Sequence, residues 1–163
     1  MNVSQQRFTK FVALVLVAGG ALALAQNTLT EKNISLGLAQ EAALIALEKC
    51  RTDGHRVSVV VLDRGGNLKA ALRDDGAGLH TVDTARRKAY TSVTLRIPTS
   101  VFAQRVQTNP ALGTITDVIA LGGGLPIQSG NEVVGAIGVG GAPSGDADAA
   151  CAQAGIDAIK NRL

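Results

Sequence analysis

The order of apolar and polar residues after the N-terminal segment predicts one helix followed by a β-hairpin. Apolar residues recur at near-helical spacing up to Cys50, and Thr30 is the expected N-cap of that helix. Residues 57–62 are β-branched and almost entirely apolar, which is typical of a central strand covered on both faces. Residues 63–67 are polar and glycine-containing, so residues 68–73 should return antiparallel to the first strand.

The second half of the chain alternates helical and strand patterns, with prolines and glycines at the boundaries. The predicted order is a helix at 81–95, a short helix at 99–106, strand segments at 116–121, 125–128 and 133–140, and a last helix capped by Ser144. Asp146 and Asp148 lie in the first turn of that last helix, where negative charge is favourable against the helix dipole. Hairpin strands with helices between and around them indicate a mixed α/β (α+β) domain with an antiparallel sheet covered by helices.

The N-terminal segment has the three parts of a secretory signal peptide. Basic residues come first, residues 11–24 are continuously apolar, and residues 23–25 (Ala-Leu-Ala) offer the small-x-small pattern of signal peptidase. The apolar run of roughly 14 residues is shorter than the roughly 20 that cross a bilayer as a helix. We therefore expect cleavage of residues 1–25, and residues 26–163 forming one periplasmic or secreted domain without stable membrane insertion. An uncleaved N-terminal anchor is the alternative.

The charge of the chain argues against a nucleic-acid partner. The chain has 16 lysines and arginines against 13 acidic residues, and residues 1–25 hold two of the basic residues and none of the acidic ones. Phosphate binding needs a surplus of clustered positive charge, which the nearly neutral mature chain lacks. The densest basic cluster, residues 86–88, is interpreted as a solvated helix face. Tyr90 and Phe102 are too few aromatic residues for a stacking platform.

Two cysteines, Cys50 and Cys151, remain after cleavage. An oxidising compartment and an even number of cysteines favour a disulfide. The bond would join the first helix to the last across about 100 residues, and in the chain-entropy model it would contribute up to about 4–5 kcal/mol. Two buried free thiols are the alternative.

Signatures of common catalytic and nucleotide-binding sites are absent from the sequence. No serine lies in a nucleophile elbow, and neither an HExxH nor a CxxC motif occurs. The glycines at 122–124 are followed by Leu125-Pro126, where a P-loop needs Lys and Ser or Thr. These glycines and those within 138–141 are interpreted as tight turns and close backbone packing. A glycine-lined strand that accepts a flat ligand is the alternative.

The two histidines differ in their surroundings. His55 lies in an Asp-Gly-His-Arg turn before the first strand and is interpreted as a surface residue. His80 follows a glycine-containing loop at 74–79 and comes just before a helix N-terminus. That position combines free backbone N–H groups with an imidazole that could ligate a metal. A helix-start residue that only hydrogen-bonds is the alternative, and one histidine with carboxylates does not predict a closed zinc site.

Five segments spread over nearly all of the mature chain form an ordered set of motifs. They are Val-Ser-Val-Val-Val-Leu-Asp-Arg-Gly-Gly-Asn-Leu at 57–68, Arg-Asp-Asp-Gly-Ala-Gly at 73–78, Thr-Ala-Arg-Arg-Lys-Ala-Tyr-Thr at 84–91, Gly-Gly-Gly-Leu-Pro at 122–126, and Val-Gly-Ala-Ile-Gly-Val-Gly-Gly at 134–141. Together they resemble the GlcG/HbpS-like family of haem-binding proteins, within the superfamily of GlcG-like and PduO C-terminal domains.

The resemblance implies a profilin-like three-layer α/β/α sandwich, assembly into homo-oligomers, and haem binding in some members. Some members have an axial histidine in the first helix, and the first predicted helix of this chain contains none. The candidates for the haem iron are therefore His80, Thr81, Thr84 or a residue of a neighbouring subunit. Arg73 and Arg86 are the candidates for the propionates, because a guanidinium group matches carboxylate geometry.

Three functions remain open from the sequence. The favoured one is an exported haem-binding protein that handles or senses haem as an accessory. The second is a module that binds a small organic acid through the glycine-rich strand and Arg73. The third, less favoured, is an enzyme whose acid–base groups would come from the polar residues Asp63, Asp74, Asp75 and His80.

Overall fold

The computed structural model describes residues 28–163, so the predicted signal peptide at 1–25 lies outside the described residues. All of the helices and strands among the described residues belong to one unit, Glu31–Leu163. They are α1 (Leu36–Thr52), β1 (Ser58–Asp63), β2 (Leu68–Arg73), α2 (Thr81–Leu95), α3 (Thr99–Thr108), β3 (Gly124–Ser129), β4 (Glu132–Gly140) and α4 (Gly145–Ile159), with short 3₁₀ turns at Pro110–Thr114 and Lys160–Arg162. Within the described residues no helix is both long enough and apolar enough to cross a membrane.

The four strands form one antiparallel sheet in the order β2-β1-β4-β3. Val59, Val61 and their neighbours on one face pack under α1 and α4. Val60 and Leu62, which point to the opposite face because strand side chains alternate, pack under α2. The sheet is therefore covered on both sides, and the predicted three-layer α/β/α arrangement with an antiparallel sheet is confirmed.

A disulfide between Cys50 and Cys151 joins the two helices of one layer. The two residues are 101 positions apart in the sequence, and their Cα atoms lie 5.5 Å apart. Both are completely buried between α1 and α4. The predicted pairing is confirmed, and free thiols are excluded for these two residues.

Glycines in β4 bring α2 directly onto the sheet. A Cβ atom at Gly138 would lie 2.1 Å from the carbonyl oxygen of Ala85, and a Cβ at Gly124 in the neighbouring strand would lie 2.3 Å from that of Lys88. Neither position leaves room for a ligand between the helix and the sheet. The interpretation of these glycines as close backbone packing is confirmed, and a flat ligand lying on this part of β4 is excluded.

Two local predictions were wrong. The first helix begins at Leu36 after the N-cap Ser35, whose Oγ accepts from the Leu38 N–H, and not at Thr30. The chain before it stays extended because the Ile34 N–H donates to the carbonyl of Val134 in β4. Residues 116–121 form no strand, because side chains of α2, and not a neighbouring strand, form hydrogen bonds with the backbone of this segment.

Candidate functional site

The N-terminal half of α2 forms one wall of an open cleft of about 320 Å³. The loop before β3 and the loop between β4 and α4 form the other walls. Two of the predicted ligand residues, His80 and Thr84, line this cleft. Its other lining residues are Lys88, Leu121, Gly122, Gly141, Ala142, Pro143, Ser144, Gly145 and Asp148.

His80 presents an exposed imidazole to the cleft. The residue is the N-cap of α2, but its side chain makes no capping hydrogen bond. Its backbone carbonyl instead accepts from the N–H of Thr84, at 3.0 Å, and from the hydroxyl of Thr84, also at 3.0 Å. A Cβ atom at Gly78 would lie 2.9 Å from His80 Cε1, so the absence of a side chain at position 78 makes room for the ring. These bonds fix the backbone of His80 at the helix start, and the imidazole nitrogens make no hydrogen bond within the described residues.

The hydroxyl groups of Thr81 and Thr84 have different surroundings. Thr81 is buried, and its Oγ1 donates to the carbonyl of Gly78 and bonds to Ser58 Oγ, with both distances 2.7 Å. These bonds tie the start of α2 to β1 and direct the hydroxyl away from a ligand role. Thr84 is half-buried beside His80, and its hydroxyl contributes to the helix start as described above.

A buried ion pair closes the inner end of the cleft. Lys88 Nζ of α2 donates to Asp148 Oδ2 of α4 at 2.6 Å, and the two side chains are 4% and 3% exposed. Asp148 Oδ1 accepts from the backbone N–H of Ala142 at 3.0 Å. Burial raises the pKa of Asp148 above its ordinary value, and the hydrogen bond from Lys88 opposes that rise.

This pair corrects the interpretation of residues 86–88 as a solvated helix face. The prediction was wrong for Lys88. Lys88 lies seven residues after Thr81, so both residues are on the same face of the helix, and that face packs on the sheet. The apolar spacing of Ala85 and Ala89 on that face was a signal in the sequence that would have placed Lys88 inward. Asp148 was expected to act on the helix dipole, and its carboxylate binds an ammonium group instead.

Glycines let the walls of the cleft come close together. Gly123 has a φ of +111°, and a Cβ atom there would lie 3.0 Å from Lys88 Nζ and 2.6 Å from the Cβ of Asp148. A Cβ at Gly145 would lie 2.7 Å from the Cα of Gly122, so the start of α4 packs on the loop before β3 backbone to backbone. The glycine motif therefore shapes the cleft around the ion pair.

The match to known proteins covers all four strands and every residue that lines the cleft. Residues 34–157 match the family model described as "Haem degrading protein HbpS-like". The chain belongs to the HbpS-like family. The resemblance inferred from the five sequence motifs is confirmed.

Related proteins and structures agree with this HbpS-like assignment. The crystal structure of HbpS is 41% identical, with a TM-score of 0.79 over 82% of this chain and 94% of that chain. An uncharacterized 15.0 kDa protein in the dhaT-dhaS intergenic region of Citrobacter freundii is 32% identical over 113 residues, which are 66% of this chain and 80% of that protein. The crystal structure of a PduOC–haem complex, 24% identical with a TM-score of 0.72 over 78% of this chain and 95% of that chain, shares the fold.

The two arginines predicted to bind propionates do not line the cleft of this HbpS-like chain. Arg73 donates to the carbonyl of Ala77 and closes the loop after β2. Arg86 pairs with Asp83 at 3.1 Å and with Asp117 at 3.2 Å on the exposed side of α2. The structure therefore brings His80 and Thr84 together and leaves these two arginines elsewhere.

Asp74 anchors the loop that leads to His80. Its carboxylate is almost fully buried and accepts from Arg51 Nε and Nη2 at 3.0 and 2.8 Å, and from Arg56 Nη1 at 3.4 Å. The hydrogen bond from Arg51 lowers the pKa of Asp74 below its ordinary value, although burial acts in the opposite direction. Asp63 similarly accepts from the backbone N–H of Asn67 within the hairpin turn. Neither carboxylate lines the cleft, so both hold backbone turns in place.

The contribution of Asp74 to stability should be lost as the pH falls below about 4. A carboxyl group whose pKa is lower in the folded chain stabilises it above the ordinary pKa of about 3.9, and this contribution is lost as the pH falls through the folded pKa. We expect Asp74→Asn to lower the free energy of unfolding at pH 7, and the gap from the unmutated chain to close as the pH approaches 2. Urea unfolding across that range measures both curves. Asp75→Asn, at the exposed neighbouring position, is the control, and a gap that stays constant with pH would contradict the prediction.

Proposed function

We propose that this HbpS-like chain is an exported haem-binding protein that takes haem at the cleft, with the His80 imidazole as the iron ligand. The observation that carries the proposal is the exposed imidazole of His80, which lines an open cleft and makes no capping hydrogen bond. The haem-related description of the family model and the haem complex of the PduOC relative support it. The proposed role is that of an accessory that handles or senses haem.

The surroundings of His80 fit haem. Haem iron accepts an imidazole as an axial ligand, and apolar side chains favour contact with the porphyrin. Leu79 is 91% exposed beside His80, Leu121 is 51% exposed, and Pro143 lines the same cleft. Bound haem would supply a redox-active iron, His80 would hold that iron, and these apolar side chains would contact the porphyrin. Such a site is open, so much of the porphyrin would face solvent or a second subunit.

Export and assembly belong to the same proposal. Cleavage after residue 25 would release a mature chain into the periplasm or the medium, where the Cys50–Cys151 bond is stable. Amino-terminal sequencing of the secreted chain tests this, with Gln26 expected first.

A homo-oligomer is supported by the edge strand β2, whose Leu68 is 62% exposed next to a groove of about 380 Å³ bordered by α1. Light scattering of the mature chain measures the subunit number.

A hemin titration with absorption difference spectra tests His80. We expect saturable binding at stoichiometric hemin, an affinity at least tenfold weaker in His80→Ala, and an altered absorption spectrum in that variant. His55→Ala is the matched control, because His55 is the other histidine of the described chain and does not line the cleft. Saturable binding unaffected by His80→Ala would move the haem elsewhere, and weak unsaturable binding would overturn haem as the ligand.

The same titration separates binding from degradation. Asp63 and Asp74 hold backbone turns, so the described geometry assigns them no acid–base role in the cleft. If the loss of haem absorption stops after one haem per site, the haem has been damaged stoichiometrically and not turned over. Repeated turnover that disappears in His80→Ala would add catalysis to the proposal.

A further inference from the structure

Lys88 has hydrogen-bonding capacity that its protein partner does not use. An ammonium group carries three donors, and Lys88 Nζ donates to one protein acceptor, Asp148 Oδ2. The side chain is 4% exposed, so bulk water reaches it poorly, yet it lines the cleft. Buried charged groups normally have their hydrogen bonds satisfied. The unused donors are therefore open to an acceptor from outside the chain, which can approach them through the cleft.

The charges around Lys88 favour an acceptor with a single negative charge. Asp148 already balances the ammonium group, and its carboxylate would repel a dianion more strongly than a monoanion. Partial positive charge comes from the N-terminal ends of α2 and α4, where His80 and Ser144 border the same cleft. This partial positive charge offsets the repulsion between Asp148 and one bound carboxylate. A Cβ atom at Gly123 would lie 3.0 Å from Lys88 Nζ, so the glycine keeps the space beside the ammonium group free of a side chain.

We infer that the inner end of the cleft binds a carboxylate, one of whose oxygens accepts from Lys88 Nζ. The cleft of about 320 Å³ suits a small organic acid or one propionate arm of a haem whose ring lies at His80. Both sources present the same group to Lys88. The inference uses the cleft of the proposed function but does not require haem, and it replaces Arg73 as the residue that binds an organic acid.

Two arms of one experiment distinguish the sources. In the first, the melting temperature of the mature chain is measured in sodium propionate or sodium lactate against sodium chloride of equal ionic strength, because a ligand that binds the folded state raises it. In the second, the affinity for hemin is compared with that for hemin dimethyl ester, whose propionates are blocked. Binding of free acid is expected in the first arm if the ligand is a small acid, and at least a tenfold preference for hemin is expected in the second if it is a propionate.

The variant to use in both arms is Lys88→Met with Asp148→Asn. It removes both charges and so avoids a lone buried charge, while the asparagine oxygen still accepts from the Ala142 N–H. Lys160→Met is the matched control, because Lys160 lies at the other end of α4, about 22 Å from its start. The effect seen in either arm should be lost in the double variant and kept in the control. Circular dichroism establishes that the double variant is folded.

The outcomes separate this inference from the proposed function. Free-acid binding that depends on Lys88, in a chain that binds no hemin, supports the carboxylate site and overturns haem binding. Hemin binding through His80 without preference over the dimethyl ester, together with no response to free acids, overturns the carboxylate site and leaves haem binding standing. A response to free acid, or a preference for hemin over its dimethyl ester, that persists in the folded double variant also overturns the carboxylate site.

Discussion

Replacing Cys50 and Cys151 together by alanine should lower the free energy of unfolding by about 4–5 kcal/mol through the lost cross-link, with a further loss from packing. The disulfide closes a loop of 101 positions, and so long a cross-link removes much of the conformational freedom of the unfolded chain. Both residues are also completely buried between α1 and α4, so the alanines leave unfilled space there. Urea unfolding of the oxidised chain and of the double variant measures the difference.

Reduction of the unmutated chain is the control for this disulfide prediction. The two thiols then remain in place, so the reduced chain should lose the cross-link contribution but less of the packing contribution. Its free energy of unfolding should lie between those of the oxidised chain and the double variant. A difference below about 1 kcal/mol between oxidised chain and double variant would show that the unfolded state is already compact without the bond.

Asp148→Ala should lower the free energy of unfolding by about 3–5 kcal/mol. The substitution leaves the ammonium group of Lys88, 4% exposed, without its one protein acceptor, and an uncompensated buried charge is costly. It also removes the acceptor for the backbone N–H of Ala142. Chemical denaturation at pH 7 measures the loss.

The neutral pair Lys88→Met with Asp148→Asn is the comparison for Asp148→Ala. Replacing both members of a buried ion pair by neutral residues costs much less than breaking it, so this double variant should be clearly more stable than Asp148→Ala. Equal losses in the two variants would indicate that packing around the two side chains, and not charge, sets the effect. Because the pair joins the two helices that border the cleft, the outcome also bears on how firmly the cleft is held.

The sequence by itself determined the elements whose signals are local. The hairpin of β1 and β2 was predicted because a β-branched run, a glycine turn and a returning strand are neighbours in the chain. The range of α2, Thr81–Leu95, was also predicted, since its apolar face and the proline after it are local. The cysteine pair followed from residue count and expected export, and the motif order identified the family. Cleavage at residue 25 and location stay predictions.

Only the tertiary structure decided which side chains meet at the cleft. Lys88 and Asp148 are 60 positions apart, and no local sequence pattern predicts that α2 and α4 bring these two side chains together. Arg73 and Arg86 lie near His80 in sequence, yet each is held outside the cleft by its own partners. Ser35, and not Thr30, caps the first helix because the Ile34 N–H donates to the carbonyl of Val134 in β4, 100 positions further along the chain. Local propensity sets the elements, while packing of distant segments sets their ends and the site between them, because those contacts form only once the sheet is assembled.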